Sequence, residues 1–237
     1  MENVTKRFGK VVANNAINLE LREGEILSLL GENGSGKTTL MNMLSGIYFP
    51  DEGQIYIHGK PVTIASPKDA FNYGIGMIHQ HFKLVDVFTA TENIVLGLEG
   101  KLDLAEAGKK VREICDKYGF DIDPNQKIYD MSVSQKQTVE IVKVLFRGAD
   151  ILILDEPLSG VDIEGEHQLL EMLDEIRTSY DLSIFLSTHD FATLGQFADK
   201  VILLNRRVLK SGPPDEVLSS PEFYETFHLR VGKGGQT

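Results

Sequence analysis

The chain has 237 residues, of which 42% are hydrophobic, enough for one large domain or two small ones with a proper core. Acidic residues outnumber basic ones by 35 to 24, and the resulting net charge of −11 argues against a nucleic-acid partner. A single cysteine excludes an internal disulfide, no apolar stretch reaches the ~20 residues of a membrane span, and no signal-peptide pattern opens the chain, so we expect a cytoplasmic protein.

The first strong pattern is a phosphate-binding loop at residues 31–38, hereafter the P-loop, which fits G-x-x-x-x-G-K-[ST]. An apolar run at 25–30 predicts a buried strand before it, and residues 39–44 predict a helix after it. In that setting glycines turn successive N–H groups toward an anion at the helix N-terminus. We predict that Lys37 reaches the β- and γ-phosphates and that the Thr38 hydroxyl binds Mg²⁺. Both flanking elements disfavour the alternative, a glycine-rich turn with a solvated lysine.

The middle of the chain predicts a β patch followed by a helical insert. Hairpin-like pieces at 11–21 and 54–58 indicate an antiparallel patch beside the main sheet. A short strand at 75–79 leads to Gln80, a candidate sensor of metal and water. Helical periodicity over 104–118, and again after Ser134, predicts a helical insert over 82–148.

A second cluster of functional residues follows the next buried strand. Four apolar residues at 151–154 lead into Asp155 and Glu156, and carboxylates at the carboxyl end of such a strand lie beside the phosphate loop in an α/β sheet. Asp155 suits Mg²⁺, and Glu156 suits the deprotonation of an attacking water. A helix at 164–179 and a strand at 182–187 come next, and His189 follows as a candidate contact to the γ-phosphate. A closing hairpin at 201–209 and short helices after 214 and 221 complete the alternation of an α/β fold.

These motifs, in this order, resemble the nucleotide-binding subunit of an ABC transporter over nearly the whole chain. Residues 31–39 match the Walker A loop, 151–156 the Walker B strand, and 159–162 the D-loop, while Gln80 matches the Q-loop and His189 the switch histidine. The resemblance implies Mg²⁺ near Thr38, Gln80 and Asp155. It also implies that Phe8 stacks on adenine, an ordinary exposed aromatic being the alternative. The P-loop residues that it assigns to ATP are Asn33, Gly34, Ser35, Gly36, Lys37, Thr38 and Thr39.

The family signature, usually Leu-Ser-Gly-Gly-Gln, is matched imperfectly by residues 131–135, hereafter the signature segment. Val133 and Ser134 stand where relatives have glycine. In the family this segment caps a helix that faces the γ-phosphate held by the opposite subunit. The resemblance therefore implies that Ser132, Ser134 and Gln135 contact ATP in a dimer. The hydroxyl of Ser132 and the N–H of Ser134 preserve an anion site, although the added side chains weaken close approach.

The resemblance implies a RecA-like P-loop core with an antiparallel β subdomain, over residues 1–81 and 149–237, and an inserted helical subdomain over 82–148. It further implies a head-to-tail dimer around two ATP molecules. A transmembrane permease would grip the helical lobe near the Q-loop, at the inner face of the membrane, and an importer is favoured. The alternative is a recombined or designed scaffold that binds ATP without driving transport. Soluble repair or translation ATPases lack support, because no long coiled coil or second cassette is present, and a kinase or GTPase does not fit the combined motifs.

The two halves resemble different branches of this family. Residues 1–157 are similar to importers of simple sugars and nucleosides, notably at 74–82 and 132–137. From residue 158 onward, 159–167 and 191–195 are more similar to cassettes that serve zinc or manganese transporters. We hypothesise that the chain is a chimera joined at the Walker B strand.

Overall fold

The computed structural model describes residues 1–79, 83–98, 100, 103–158, 163–180, 182–189, 191 and 194–229, with only the backbone at 163–164 and 179–180. The strands are β1 Glu2–Phe8, β2 Val11–Ile17, β3 Ile26–Leu30, β4 Glu52–Ile57, β5 Lys60–Val62, β6 Ile75–Ile78, β7 Ile151–Asp155, β8 Ser183–Thr188, β9 Lys200–Leu204 and β10 Val208–Gly212. The helices are α1 Lys37–Leu44, α2 Pro67–Asn72, α3 Ala90–Val95, α4 Leu104–Tyr118, α5 Val133–Phe146, α6 Ile163–Tyr180, α7 Leu194–Phe197, α8 Pro214–Leu218 and α9 Pro221–Thr226, with a 3-10 turn at Ile128–Asp130.

A six-stranded sheet forms the centre of the molecule, in the order β10-β9-β3-β8-β7-β6. Adjacent strands in this sheet are parallel, except that β10 is antiparallel to β9. Every residue of β3 and β8 is buried, as expected for strands covered on both faces. The apolar runs at 25–30, 151–154 and 182–187 therefore predicted the central strands correctly. Because these strands are parallel, their carboxyl ends share one edge of the sheet.

The second sheet is antiparallel and has the order β2-β1-β4-β5. Val4, Ile17 and Ile55 are buried, whereas Asn3, Ala16 and Tyr56 beside them are exposed, so one face of this sheet packs on the core. The predicted antiparallel patch is confirmed, and the α/β cassette fold with it. Strand β4 includes Gly53, where the carbonyl oxygen of Asn3 on β1 would lie 2.4 Å from a Cβ atom. Glycine at this position thus lets two strands approach closely.

Helices α3, α4 and α5 pack against one another through one apolar cluster that includes Ile94, Val111 and Val139. Helix α4 has the predicted bounds because its ends are marked in the sequence. Asp103 accepts hydrogen bonds from the first turn, and Gly119 ends the helix in the left-handed conformation at φ 68°. Cys115 is buried in the same cluster, as its apolar helical position predicts. Across the described residues, no helix combines the length and apolar character that crossing a membrane requires.

Candidate nucleotide-binding site

The P-loop connects β3 to α1, and it is closely packed at Gly31 and Gly36, the two glycines of its motif. Gly36 has φ 100°, and a Cβ atom there would lie 2.5 Å from the carbonyl oxygen of Ala13. At Gly31 a Cβ atom would lie 2.4 Å from the carbonyl oxygen of Leu204. Both positions therefore require glycine on steric grounds, and Gly36 also requires it for its left-handed backbone conformation. Gly34, at φ 80°, is exposed, so the tip of the loop is open to a ligand.

Neighbouring strands hold this loop in place. The main-chain N–H of Arg206, in the turn between β9 and β10, donates to the Ser35 carbonyl over 2.7 Å. The side-chain amide of Asn14, fully buried on β2, donates to the Gly36 carbonyl over 3.2 Å. The side chain of Ser35 is buried, whereas Asn33 is exposed and Thr39 is partly buried at the start of α1. The loop is thus fixed from two sides while its tip faces outward.

Lys37 is the buried cation of the site, with only 4% of its surface exposed. Its ammonium group donates to the carbonyls of Gly31, over 2.6 Å, and Glu32, over 3.2 Å. It also lies 3.4 Å from a carboxylate oxygen of Glu156, the residue that follows β7. A buried ammonium needs such partners to offset its lost hydration. The P-loop lysine therefore contacts the acidic pair at the end of β7, Asp155 and Glu156, through Glu156.

Asp155 and Glu156 occupy the shared edge of the sheet beside the loop. Asp155 Oδ1 lies 3.4 Å from the Thr38 hydroxyl and accepts a 2.7 Å hydrogen bond from the hydroxyl of Ser187. Glu156 adopts φ 49°, an uncommon left-handed conformation for a residue with a side chain. Its second carboxylate oxygen lies 3.5 Å from Nδ1 of His189. The structure thus brings Lys37, Glu156 and His189 into one contiguous group.

The Thr38 hydroxyl and the Asp155 carboxylate form a donor set that fits Mg²⁺. Both are hard oxygen ligands, and Mg²⁺ in nucleotide sites is held by one or two protein groups together with phosphates and water. Within the described part of the chain, no three His, Cys, Asp or Glu residues group as a metal site, so a cage built only from such side chains is not present there. Gln80, the third predicted metal ligand, and the D-loop residues 159–162 lie outside the described residues.

His79 comes just before that gap and is half-buried. Burial lowers its pKa, and the positive charge of Lys83 acts in the same direction, while Asp155 and Glu140 oppose the shift. The imidazole therefore stays neutral to lower pH than a solvated histidine. A neutral His79 places no positive charge near the Asp155 carboxylate.

Phe8 lies at the end of β1 with 43% of its surface exposed. Its ring meets Tyr48 edge-on at a centroid distance of 5.1 Å, and the ammonium of Lys6 lies 5.5 Å from its centroid. The ring is therefore held on one side and open on the other. An exposed, oriented aromatic face of this kind can stack on a planar base.

The signature segment forms hydrogen bonds within its own helix. Ser132 is the N-cap of α5: its hydroxyl accepts from the N–H of Gln135 over 3.2 Å, and Gln135 Oε1 accepts from the N–H of Ser132 over 3.0 Å. This is a capping box, and it was not part of the prediction. The hydroxyls of Ser132 and Ser134 are 3.0 Å apart, and Val133 is 48% exposed. The segment thus presents a well-formed helix N-terminus at the surface.

The sequence did not identify Ser187 or Asn14 as members of the site. Ser187 carried a weak signal, because it is a polar residue within an apolar strand, two residues before His189. The contact of Ser187 with Asp155 follows only from the pairing of β7 with β8, where the two residues are in register. Asn14 carried no signal, since its contact with Gly36 joins two distant parts of the chain.

Comparison with known proteins identifies relatives over most of the chain. The family model of ABC transporters matches residues 14–159. A nucleoside import ATP-binding protein of Lactococcus lactis is 49% identical over 210 residues, 87% of this chain and 41% of that protein. A glucose import ATP-binding protein of Haloferax volcanii is 38% identical over 86% of this chain and 43% of its own length. The chain therefore spans less than half the length of these relatives.

Solved structures share the architecture as well. The cassette cbiO1 of Clostridium perfringens, part of the ABC transporter complex cbiONQ, superimposes with a TM-score of 0.82 at 28% identity, covering 97% of this chain and 94% of that one. An ATP-binding cassette solved as a dimer in a post-hydrolysis state, with ADP and Pi, superimposes with a TM-score of 0.75 at 25% identity, covering 90% and 97%. The fold is therefore that of ABC cassettes.

Proposed function

The chain belongs to the ABC transporter family, and from this premise we propose that it binds and hydrolyses ATP as the cassette subunit that powers a membrane importer. One observation carries the proposal: Lys37 of the P-loop, Glu156 after β7 and His189 after β8 meet at one edge of the sheet. These groups come from three distant parts of the sequence. Their convergence supplies a cation, a base and an imidazole around the place where a γ-phosphate would sit.

The P-loop would bind the triphosphate. Its open tip, from Asn33 to Gly36, presents main-chain N–H groups at the start of α1, where the helix dipole favours an anion. The Lys37 ammonium, which donates to the carbonyls of Gly31 and Glu32, would donate to phosphate oxygens when the triphosphate binds. The exposed ring of Phe8 would stack on the adenine base. Mg²⁺, when bound at Thr38 and Asp155, supplies charge neutralisation at the phosphates.

Hydrolysis would depend on Glu156. Its carboxylate is 13% exposed, so water reaches it, and it lies between the ammonium of Lys37 and the ring of His189. In that position it would accept a proton from the attacking water, while His189 holds the carboxylate and the γ-phosphate in alignment. Phosphoryl transfer is mainly a matter of positioning and charge stabilisation, which a rigid sheet edge provides. Gln80 is proposed as the sensor that orients the same water.

Two chains would form the working unit. Ser132, Ser134 and Gln135 lie at the exposed N-terminus of α5, and we propose that they close the ATP site of a second copy. A two-fold dimer allows both sites to be completed reciprocally. The fold is shared with a cassette solved as a dimer with ADP and Pi, which supports this arrangement. Loss of the γ-phosphate would then remove the contact that holds the two copies together.

The permease contact is assigned to the helical subdomain at residues 82–148, and the ATP-binding core to residues 1–81 and 149–237. This arrangement would hold the chain at the inner face of the membrane. A nucleoside or a simple sugar is the proposed cargo, because the relatives described above are named as importers of nucleosides and glucose. No role in binding nucleic acid is proposed.

The chimera stays a prediction. The alignment with the nucleoside import protein covers 87% of this chain and therefore crosses the proposed junction at residue 157. Identity counted separately on the two sides of that junction tests the idea. Much lower identity after residue 158 is expected of a chimera, and comparable identity on both sides would contradict it.

A steady-state ATPase assay on the purified chain tests the function, with Lys37→Ala as the blank. We expect Mg²⁺-dependent turnover that falls to the blank level in Lys37→Ala, because the buried ammonium is the cation nearest the proposed γ-phosphate. Turnover equal in both chains would contradict the proposal. The alternative, a recombined or designed scaffold uncoupled from transport, predicts nucleotide binding without turnover and no membrane protein that copurifies.

A further inference from the structure

Ser187 contacts both acidic residues on which the proposed chemistry depends, although nothing in the P-loop or signature patterns points to it. It is the fifth residue of β8 and is fully buried. It pairs in register with Asp155 on β7 and with Leu29 on β3. Since registered neighbours on parallel strands point to the same face, the Ser187 hydroxyl and the Asp155 carboxylate are held side by side.

The hydroxyl uses both of its hydrogen-bonding roles within the site. It donates its only proton to Oδ1 of Asp155 over 2.7 Å. It accepts the main-chain N–H of Glu156 over 3.0 Å. One buried oxygen atom thus connects the side chain of the proposed Mg²⁺ ligand to the backbone of the proposed general base.

These two bonds hold the Glu156 backbone, which is in an unfavourable conformation, and the Asp155 carboxylate. Glu156 adopts the left-handed conformation at φ 49°, which disfavours any residue with a Cβ atom. The bond from its N–H to the Ser187 hydroxyl pairs a backbone donor beside the sheet. Asp155 Oδ1, the oxygen that accepts from Ser187, is also the one 3.4 Å from the Thr38 hydroxyl. A change at Ser187 therefore removes one contact to the Asp155 carboxylate and one to the Glu156 backbone at the same time.

We propose that Ser187 is a positioning residue for the ATPase site, which orients Asp155 toward the metal and Glu156 toward water through a single hydroxyl. It touches neither the nucleotide nor the metal in this scheme and acts only through these two residues. The inference rests on the proposed function. Outer groups that hold metal ligands typically change metal affinity or activity by about 10–100-fold when removed.

The matched variants are S187T and S187V, which have nearly the same size and shape but differ in the hydroxyl. We expect kcat for MgATP to be about 10–100-fold lower in S187V than in S187T, with little change in KM. Thermal unfolding of the two variants provides the control for packing. Equal kcat in the two variants would overturn the proposal.

Calorimetry with ADP provides a readout that does not depend on turnover. Without Mg²⁺, S187T and S187V should bind ADP equally well, because the P-loop is unchanged. With Mg²⁺ present, the gain in affinity should be about 10-fold smaller in S187V. Equal gains would overturn the role assigned to Ser187.

S187A is the second variant, in case the larger side chains prevent folding. It removes only Oγ and adds no bulk, so wild-type kcat and a wild-type Mg²⁺ effect in S187A would overturn the proposal by themselves. A wild-type chain that fails to bind any nucleotide would overturn the proposed function and this inference together. A wild-type chain that hydrolyses ATP, with S187A indistinguishable from it, would overturn the inference alone.

Discussion

The P-loop edge, meaning the P-loop with Asp155, Glu156 and His189, and the signature segment at 131–135 differ in how far one chain completes them. In the P-loop edge, Lys37 is 4% exposed and is held by groups from the loop and from the end of β7. In the signature segment, Val133 is 48% exposed and the hydroxyl of Ser132 bonds to its own helix. Both begin a helix and both suit an anion.

The difference indicates that the P-loop edge can act within one chain, whereas the signature segment acts on a second molecule. A site assembled from several strands needs the fold of its own chain and nothing more. A capped helix N-terminus at the surface, with Ser132 and Val133 exposed, is open to a second molecule, and the proposed function requires one. We therefore expect changes in the P-loop edge to act on each chain separately, and changes in the signature segment to act only when two chains meet.

The largest effect is expected from Glu156→Gln, which keeps the shape of the side chain and removes the base. kcat should fall by about 10²–10⁴-fold, the usual contribution of general base catalysis, while ATP remains bound. An ATP-bound dimer should accumulate, because in the proposed cycle the two copies would separate only after hydrolysis. Gel filtration with excess MgATP detects it, with Lys37→Ala as the variant that should stay monomeric. A monomeric Glu156→Gln chain under these conditions would count against a signature segment that acts in trans.

A smaller effect is expected from Ser132→Ala in the signature segment. kcat should fall about tenfold or more, since a hydrogen bond to a charged group contributes ~1.5–3 kcal/mol, whereas MgADP binding to a single chain should not change. Loss of the cap should also cost about 1 kcal/mol of stability.

Ser220→Ala is the matched control for this variant. Ser220 caps α9 in the same way, by accepting from the N–H of Phe223 over 3.3 Å. Ser220→Ala should lose similar stability with kcat unchanged. Equal losses of kcat in both variants would mean that Ser132 matters only for folding.

The smallest effect concerns the interior beneath the signature segment. Burial raises the pKa of the Cys115 thiol to about 11. Between roughly pH 9 and that value the unfolded chain loses the thiol proton and the folded chain keeps it, so stability should fall as pH rises through this range. Urea unfolding at a series of pH values measures the slope, and Cys115→Ala should reduce it. An unchanged slope in that variant would show that the helices α3–α5 enclose a wetter interior than the central sheet.

Much of the P-loop edge was predictable because its signals are local. The loop, Lys37 and the strand before Asp155 are contiguous patterns, and apolar runs identify buried parallel strands without any alignment. Helix α2 was missed although Ser66 caps it and Pro67 opens it, since six residues are too few to show helical periodicity. Helix α3 was missed for the same reason, despite its capping box from Thr89 to Glu92.

What could not be predicted depends on strand order and close approach. The bond from Ser187 to Asp155 follows from the pairing of β7 with β8, and the bond from Asn14 to Gly36 follows from the packing of β2 against the P-loop and the start of α1. Neither is encoded in the spacing of residues along the chain. The self-capping of the signature segment was visible in principle, because Ser132 and Gln135 have the spacing of a capping box.

The most direct test is isothermal calorimetry of MgATP with the folded chain, alongside Lys37→Ala. We predict saturable binding to the wild-type chain and roughly 10–100-fold weaker binding to Lys37→Ala, because a hydrogen bond to a charged group contributes about 1.5–3 kcal/mol. The absence of any association with the folded wild-type chain at millimolar MgATP would contradict the assignment of the P-loop edge as a nucleotide site.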